Sequence, residues 1–356
     1  MDLNESLLLI NDKVRSLKQY HLEPEVTSIK LNQNENPFDW PIEIKQEIAD
    51  FCVFRPWNRY PNFVPELLQE KLSCYTKVPQ NGILVGNGSN EMLLVLLLSL
   101  ANKTGNVIIC QPTFSIYRLL ATGLGATERQ VDLNNDMTFN VPAIINCSRQ
   151  FPGAVLILCS PNNPTGSTLT GPDLKNILAV HSGFCILDQA YVEFGGYNAI
   201  ELLNDNPNLI ITRTFSKAFG GAGLRFGYML GNPDIISQIN KIKLPYNINF
   251  FSEQVAQTLL SHTSIVEKQV AYLTQQREDL FGFLNTLPLR NVYASSANFI
   301  MFRCNAKQAL FDHCKQKGIL IRDVSTYPQC ENCLRVNVGT EIENAAFKEA
   351  LRSFFV

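Results

Sequence analysis

Four short segments carry residues whose types and spacing could do chemistry. Gly86-Asn87-Gly88-Ser89-Asn90-Glu91 lies between an apolar run and a helical pattern. Its glycines let backbone approach an anion, and a helix start there offers unpaired N–H groups to phosphate. It lacks the third glycine of a dinucleotide fingerprint, Glu91 standing in that place, and no Walker-type GK[ST] is present. Ser160-Pro161-Asn162-Asn163-Pro164-Thr165-Gly166 reads by itself as a tight turn. Asp188-Gln189-Ala190-Tyr191 begins with an acid at the end of an apolar run. Such an acid is costly unless something pairs with it, or it caps the next segment. The fourth segment runs from Arg213 through Thr214-Phe215-Ser216-Lys217 to Arg225, eight residues past the lysine. A lysine alone is ordinarily a solvated surface residue. Lys217 instead sits in a Ser- and Gly-rich loop between apolar runs.

Hydrophobic patterning supplies the elements that must position these segments. Helical periodicity near 66–75, 89–101, 113–122, 141–148 and 172–180 alternates with apolar runs near 83–85, 107–110, 129–133, 155–159, 184–187, 209–212 and 226–230. The runs at 155–159 and 184–187 are continuous, as in strands buried on both faces of a parallel sheet. Repeated βα units predict a mostly parallel, helix-covered sheet, with ligands bound at the carboxyl ends of its strands. A helix over 264–287 is long enough to bridge two domains. Strands at 298–303, 319–321 and 334–338 with helices at 306–317 and 342–355 predict a smaller α/β domain beyond it. Residues 1–40 show no core of their own.

Length and composition bound the rest. The chain has 356 residues, 46% of them apolar, enough for roughly two domains. Thirty basic and 32 acidic residues give a formal charge of −2, against a nucleic-acid or membrane-surface protein. The acidic start, the short apolar run at 7–10 and the absence of a long apolar stretch predict no secretory signal and no membrane span. The ten cysteines lie largely in apolar surroundings, which points to reduced thiols and a cytoplasmic location. Cys330-Glu331-Asn332-Cys333 is a CxxC that could be a redox dithiol, half a zinc site or two thiols beside a strand. No second pair and no HxxxH among His21, His181, His262 and His313 completes a metal site.

Taken together, the four segments resemble the fold-type I, pyridoxal-phosphate-dependent aminotransferases over nearly the whole chain. The Asn-Pro-Thr-Gly, Asp-x-x-Tyr, Ser-x-Lys and Arg elements stand in that family's order and spacing. The resemblance implies a large domain at 45–260 with a mostly parallel seven-stranded sheet. It also implies a small α/β domain at 261–356 and an N-terminal arm, 1–44, that joins the small domain and the substrate mouth. Pyridoxal 5'-phosphate is the implied cofactor. Lys217 would join its aldehyde and shuttle the substrate's α-proton, and Asp188 would keep its ring nitrogen protonated. Tyr191 and Asn163 match positions that hydrogen-bond the ring's phenolic oxygen. Phe114 stands where the family stacks an aromatic ring, often a tyrosine. Gly88, Ser89, Asn90, Thr214, Ser216 and Arg225 match the phosphate cradle.

The resemblance narrows to the histidinol-phosphate aminotransferase branch. Leu31-Asn32-Gln33-Asn34-Glu35-Asn36-Pro37-Phe38, Arg59-Tyr60-Pro61, Pro245-Tyr246-Asn247-Ile248-Asn249, Ala297-Asn298-Phe299 and Leu334-Arg335-Val336-Asn337-Val338-Gly339-Thr340 carry it. Tyr60 then implies a homodimer, because the family's tyrosine there reaches the partner subunit's cofactor phosphate. The implied substrates are L-histidinol phosphate and 2-oxoglutarate. Arginine suits both, because its planar fork binds phosphate or carboxylate. Arg335 is the matching residue, Arg322 a second phosphate ligand or a surface arginine, and Tyr20 and Asn32 candidates for the substrate mouth. Gln189 departs from the usual Asp-Glu-Ala-Tyr, next to Asp188. On the same fold, an aromatic amino-acid aminotransferase and a phosphothreonine decarboxylase remain alternatives. An NAD-linked dehydrogenase fails on the missing glycine. A non-catalytic, cofactor-binding regulator would need a DNA-binding appendage that the sequence lacks.

Overall fold

The computed structural model describes residues 1–17, 27–101 and 103–356. Tyr20 and His21 lie outside the described residues. Seven strands form the central sheet in the order Ile83–Gly86, Gly227–Leu230, Leu209–Thr214, Cys185–Asp188, Val155–Cys159, Asn106–Gln111 and Thr127–Asp132. Four neighbouring pairs are parallel; Gly227–Leu230 is antiparallel to both strands beside it. The α/β reading and the mostly parallel sheet therefore hold.

The continuous apolar runs follow from burial on two faces. Leu156, Leu158, Leu187, Ile211 and Phe215 join the core on one side of the sheet. Val155, Ile157, Ile186, Ile210 and Met229 join the other core, under the helix Gly88–Leu100. Alternation thus survives in space although every position is apolar. Most expected elements appear within one to three residues of their expected bounds. Patterning missed the helices Ile42–Phe54, Pro233–Asn240 and Phe250–Leu260.

A second sheet, wholly antiparallel, orders Arg322–Asp323, Cys333–Asn337, Phe299–Arg303 and Asn291–Val292. The strand Ile29–Lys30 pairs in parallel with Ile319–Leu320, so the start of the chain is tied to residues near its end. Cys330 and Cys333 are buried with Met301, Tyr293 and Val324 where this sheet begins its last strand in sequence.

The helix Thr263–Leu284 connects the two sheets. On it, buried Arg277 donates from Nη1 to the carbonyls of Phe194 (3.2 Å) and Ala297 (3.1 Å). Phe194 follows the segment holding Asp188 and Tyr191, and Ala297 precedes the strand Phe299–Arg303. Arg277→Ala orphans both carbonyls and should lower unfolding free energy by roughly 2–4 kcal/mol, read from the denaturant midpoint. An unchanged midpoint would remove Arg277 as a tie.

Candidate active site

The loops leaving the carboxyl ends of the parallel strands enclose one cavity with the 32–34 segment of the arm. From the expected set, Asn32, Ser89, Asn90, Phe114, Asn163, Asp188, Tyr191, Thr214, Ser216, Lys217, Arg225, Arg322 and Arg335 line it. Gly88 stands behind Ser89. Tyr60 is outside it, exposed and stacked on Tyr246 with ring centroids 4.6 Å apart.

Asp188 is delivered by its strand between Cys159 and Thr212 of the flanking strands. Its Oδ2 accepts from the Tyr117 hydroxyl at 2.6 Å and its Oδ1 from the Ala190 N–H at 3.0 Å. Burial pushes this carboxyl up from its ordinary pKa; Tyr117, Ala190 and Thr212 pull the other way.

Lys217 is held by a strap from the arm. Its Nζ donates to the Gln33 carbonyl at 2.9 Å. Asn36 Nδ2 donates to Ala218 O (3.0 Å) and Gln269 Oε1 (2.9 Å), and Trp40 Nε1 to Phe219 O (2.7 Å). Asn34, in a left-handed conformation that asparagine tolerates, donates to the Tyr191 hydroxyl at 2.9 Å. Part-open only to the cavity, the Lys217 amine has its pKa pushed down to about 7. Desolvation is the main cause; Arg335 and Arg225 add repulsion, and Glu35 opposes them.

One end of the cavity is built for an anion. Ser89 and Asn90 occupy the first turn of the helix Gly88–Leu100. Gly88 has φ +73°, and a Cβ there would come 2.9 Å from Arg225 Nη2. Arg225 Nη1 reaches Ser216 Oγ at 3.4 Å, and the Ser216 and Thr214 hydroxyls are 3.0 Å apart. A cation, two hydroxyls and a helix N-terminus together suit a phosphate. Behind them, Glu91 Oε2 accepts from the side-chain amides of Asn87 (3.0 Å) and Asn247 (3.2 Å). Glu91, which breaks the glycine pattern, here braces the loop.

The other end carries two arginines. Arg322 and Arg335 are register partners on adjacent antiparallel strands, so both side chains leave the same face. Arg335 Nη2 donates to Asn32 O at 2.9 Å, and its Nη1 to Asn163 Oδ1. Sequence reading gave no role to Tyr117, to Tyr327, which also lines the cavity, or to the Gln33 carbonyl. Tyr117 had a readable signal, since it follows Phe114 by three residues within the helix expected over 113–122.

The class of this protein follows from comparison. The profile of the family described as aminotransferase class I and II matches residues 26–354. A histidinol-phosphate aminotransferase of Prosthecochloris aestuarii is 38% identical over 96% of this chain and 97% of its own. One from Caldanaerobacter subterraneus is 34% identical over 97% and 98%. The crystal structure of the Sinorhizobium meliloti histidinol-phosphate aminotransferase in complex with pyridoxal-5'-phosphate has the same fold. Its TM-score is 0.85 at 21% identity, covering 96% of this chain and 97% of that one. The chain belongs to the class I and II aminotransferases and, within them, to the histidinol-phosphate aminotransferase family.

The residues present fit that class's cofactor, pyridoxal phosphate. A buried carboxylate faces the cavity with hydrogen-bond donors but no cation among them. An amine of lowered pKa stands in the same cavity, and Gly88, at φ +73°, presents backbone rather than a side chain beside Arg225. Only a neutral amine attacks an aldehyde, and a lowered pKa makes Lys217 neutral above about 7 instead of 10.5. Cofactor capture by cofactor-free protein should therefore accelerate with pH to a half-maximum near 7. The rate of absorbance change on mixing reads this, and a half-maximum above about 9 would contradict the desolvated amine.

Proposed function

We propose that this protein transfers the amino group of L-histidinol phosphate to 2-oxoglutarate, giving imidazole-acetol phosphate and L-glutamate, in the histidine pathway. The observation that carries this reading is the cavity itself. Lys217 and Asp188 stand at its floor, a phosphate cradle at one end, and two register-paired arginines at the other. Bound there, pyridoxal phosphate supplies an aldehyde for the substrate's amine and a ring that accepts electrons released at its Cα.

The chain's own groups do the rest. Ser89, Asn90, Thr214, Ser216, Arg225 and the backbone at Gly88 would bind the cofactor phosphate. Asp188 would hold the proton on the ring nitrogen. Tyr191 and Asn163 would hydrogen-bond the ring oxygen, and Phe114 would stack on the ring. Lys217, neutral near physiological pH, takes the proton from the substrate Cα and returns it. Arg335 and Arg322 hold the phosphate of the donor and then a carboxylate of the acceptor, so one site serves both half-reactions. Asn32, and Tyr20 outside the described residues, complete the substrate mouth.

We further assign the two-domain division with boundaries near residues 45 and 260; pairing of Ile29–Lys30 with Ile319–Leu320 supports an arm that belongs with the small domain. A homodimer with shared sites accords with the exposed Trp57, Tyr60, Phe63 and Tyr246, where Tyr60, stacked on Tyr246, is open to a partner's site. No helix among the described residues is long and apolar enough to cross a membrane, and a cytoplasmic location accords with the reduced cysteines.

A donor panel with 2-oxoglutarate tests the substrate. Histidinol phosphate should give the highest kcat/KM, ahead of phenylalanine, tyrosine and phosphothreonine, and Lys217→Ala should abolish turnover. A better aromatic donor would overturn the substrate assignment and leave the aminotransferase. Carbon dioxide release without a keto acid would indicate a decarboxylase.

Shared sites make a separate prediction. Tyr60→Ala and Lys217→Ala chains, co-expressed, should show more activity than the sum of the two variants made alone. Purely additive activity would mean that each site is complete within one chain.

A further inference from the structure

Tyr117 lies in the helix Ile116–Gly123 with its ring fully buried, edge-on to Phe114 at 5.6 Å between centroids. Its hydroxyl donates to Asp188 Oδ2 at 2.6 Å, with the Cys159 thiol as a second polar neighbour. The turn before the helix thus places one aromatic side chain at the ring-stacking position, and the helix's first turn sets another against the acid. We propose that Tyr117 is a positioning residue that fixes the Asp188 carboxylate and keeps it charged toward the cofactor's ring nitrogen; this rests on the role proposed for Asp188.

The electrostatic case follows from what surrounds the acid. Asp188 is 3% exposed, and desolvation favours its neutral form. A neutral carboxyl could not keep a pyridine nitrogen protonated. The titratable groups facing Asp188 are Tyr117 from the helix, Cys159 from the adjacent strand and Tyr191 from the following loop. All three are pushed upward by burial, Cys159 to about 12, so none carries charge near neutrality. Among the described residues no cation offsets the acid there. Charge is instead retained by donors, of which the phenol is the short one, and Tyr117 remains protonated across the working range because its own pKa is raised. With Oδ2 engaged by Tyr117 and Oδ1 by the Ala190 N–H, the carboxylate plane is set before any ligand arrives.

The experiment measures cofactor dissociation constants from about pH 5 to pH 9 for the wild type, Tyr117→Phe, Asp188→Asn and the double variant. Asp188 supports binding while ionised, so affinity falls as pH drops through its pKa. Losing the phenol donor raises that pKa. Tyr117→Phe should therefore move the acidic fall upward by about one unit, weakening binding about tenfold on the acid side of the fall and little well above it. In the Asp188→Asn background the same change should have no pH-dependent effect. Incorporation of 3-fluorotyrosine at 117, a stronger donor, should move the fall downward, and it decides the matter if Tyr117→Phe does not fold. A Tyr117→Phe effect equal at every pH, or persisting in Asp188→Asn, would reduce Tyr117 to packing and overturn the proposal. If Asp188→Asn itself left affinity unchanged, the role of Asp188 would fail instead.

Discussion

The arrangement of this protein turns on a carboxylate, Asp188, buried at the end of a central strand with no cation beside it among the described residues. Holding a charge there is unfavourable by several kcal/mol unless hydrogen bonds and a ligand of opposite sign compensate. The fold meets part of that demand locally, through a helix phenol and a backbone N–H. The remainder is left to whatever occupies the cavity. A binding site that is electrostatically incomplete without its cofactor gains affinity for it from the same imbalance. Parallel topology makes this possible, because it brings Asn163, Asp188 and Lys217 to one edge of the sheet from three different strands.

Lysine chemistry is governed by the same desolvation with the opposite sign. Burial raises the acid's pKa and lowers the amine's, so a low-dielectric pocket yields a carboxylate that needs donors and an amine ready as a nucleophile. Lys217 points its amine at a backbone carbonyl rather than at a carboxylate. A direct ion pair with Asp188 would raise the amine's pKa and remove both properties at once. Separation of the two groups is thus part of the chemistry, and it is maintained by the arm, whose residues 33–40 bond along the Lys217 loop.

The sheet and its chemical loops were legible in the sequence because both depend on short-range signals. Double-faced burial writes continuous apolar runs, and strand ends are followed by Asn-Pro, Asp or Ser-x-Lys. What escaped was what distant segments do to each other. Asn34 on Tyr191 spans 157 residues, and Arg335 on Asn163 spans 172. The helix Ile42–Phe54 buries only Ile44 and Ile48, too thin an apolar stripe to announce itself. Glu91 looked like a defect in a glycine motif because its partner, Asn247, is 156 residues away.

Gln189, the one departure beside Asp188, shows how local alternation protects a site. Its neighbour Asp188 faces the cavity, whereas Gln189 faces away, donating to the Tyr197 carbonyl at 2.7 Å and accepting from Arg213 at 2.9 Å. Arg213 also donates to Asn198 at 2.7 Å, so this buried guanidinium is held by two amide oxygens. Glu193 supplies the nearby negative charge that lowers the cost of burying it. An amide at 189 therefore alters the support of Arg213 on the far side of the strand and leaves the hydrogen bonds of Asp188 intact. The side-chain period of a strand is two, so adjacent residues belong to different environments, and a substitution next to a catalytic group need not touch its chemistry.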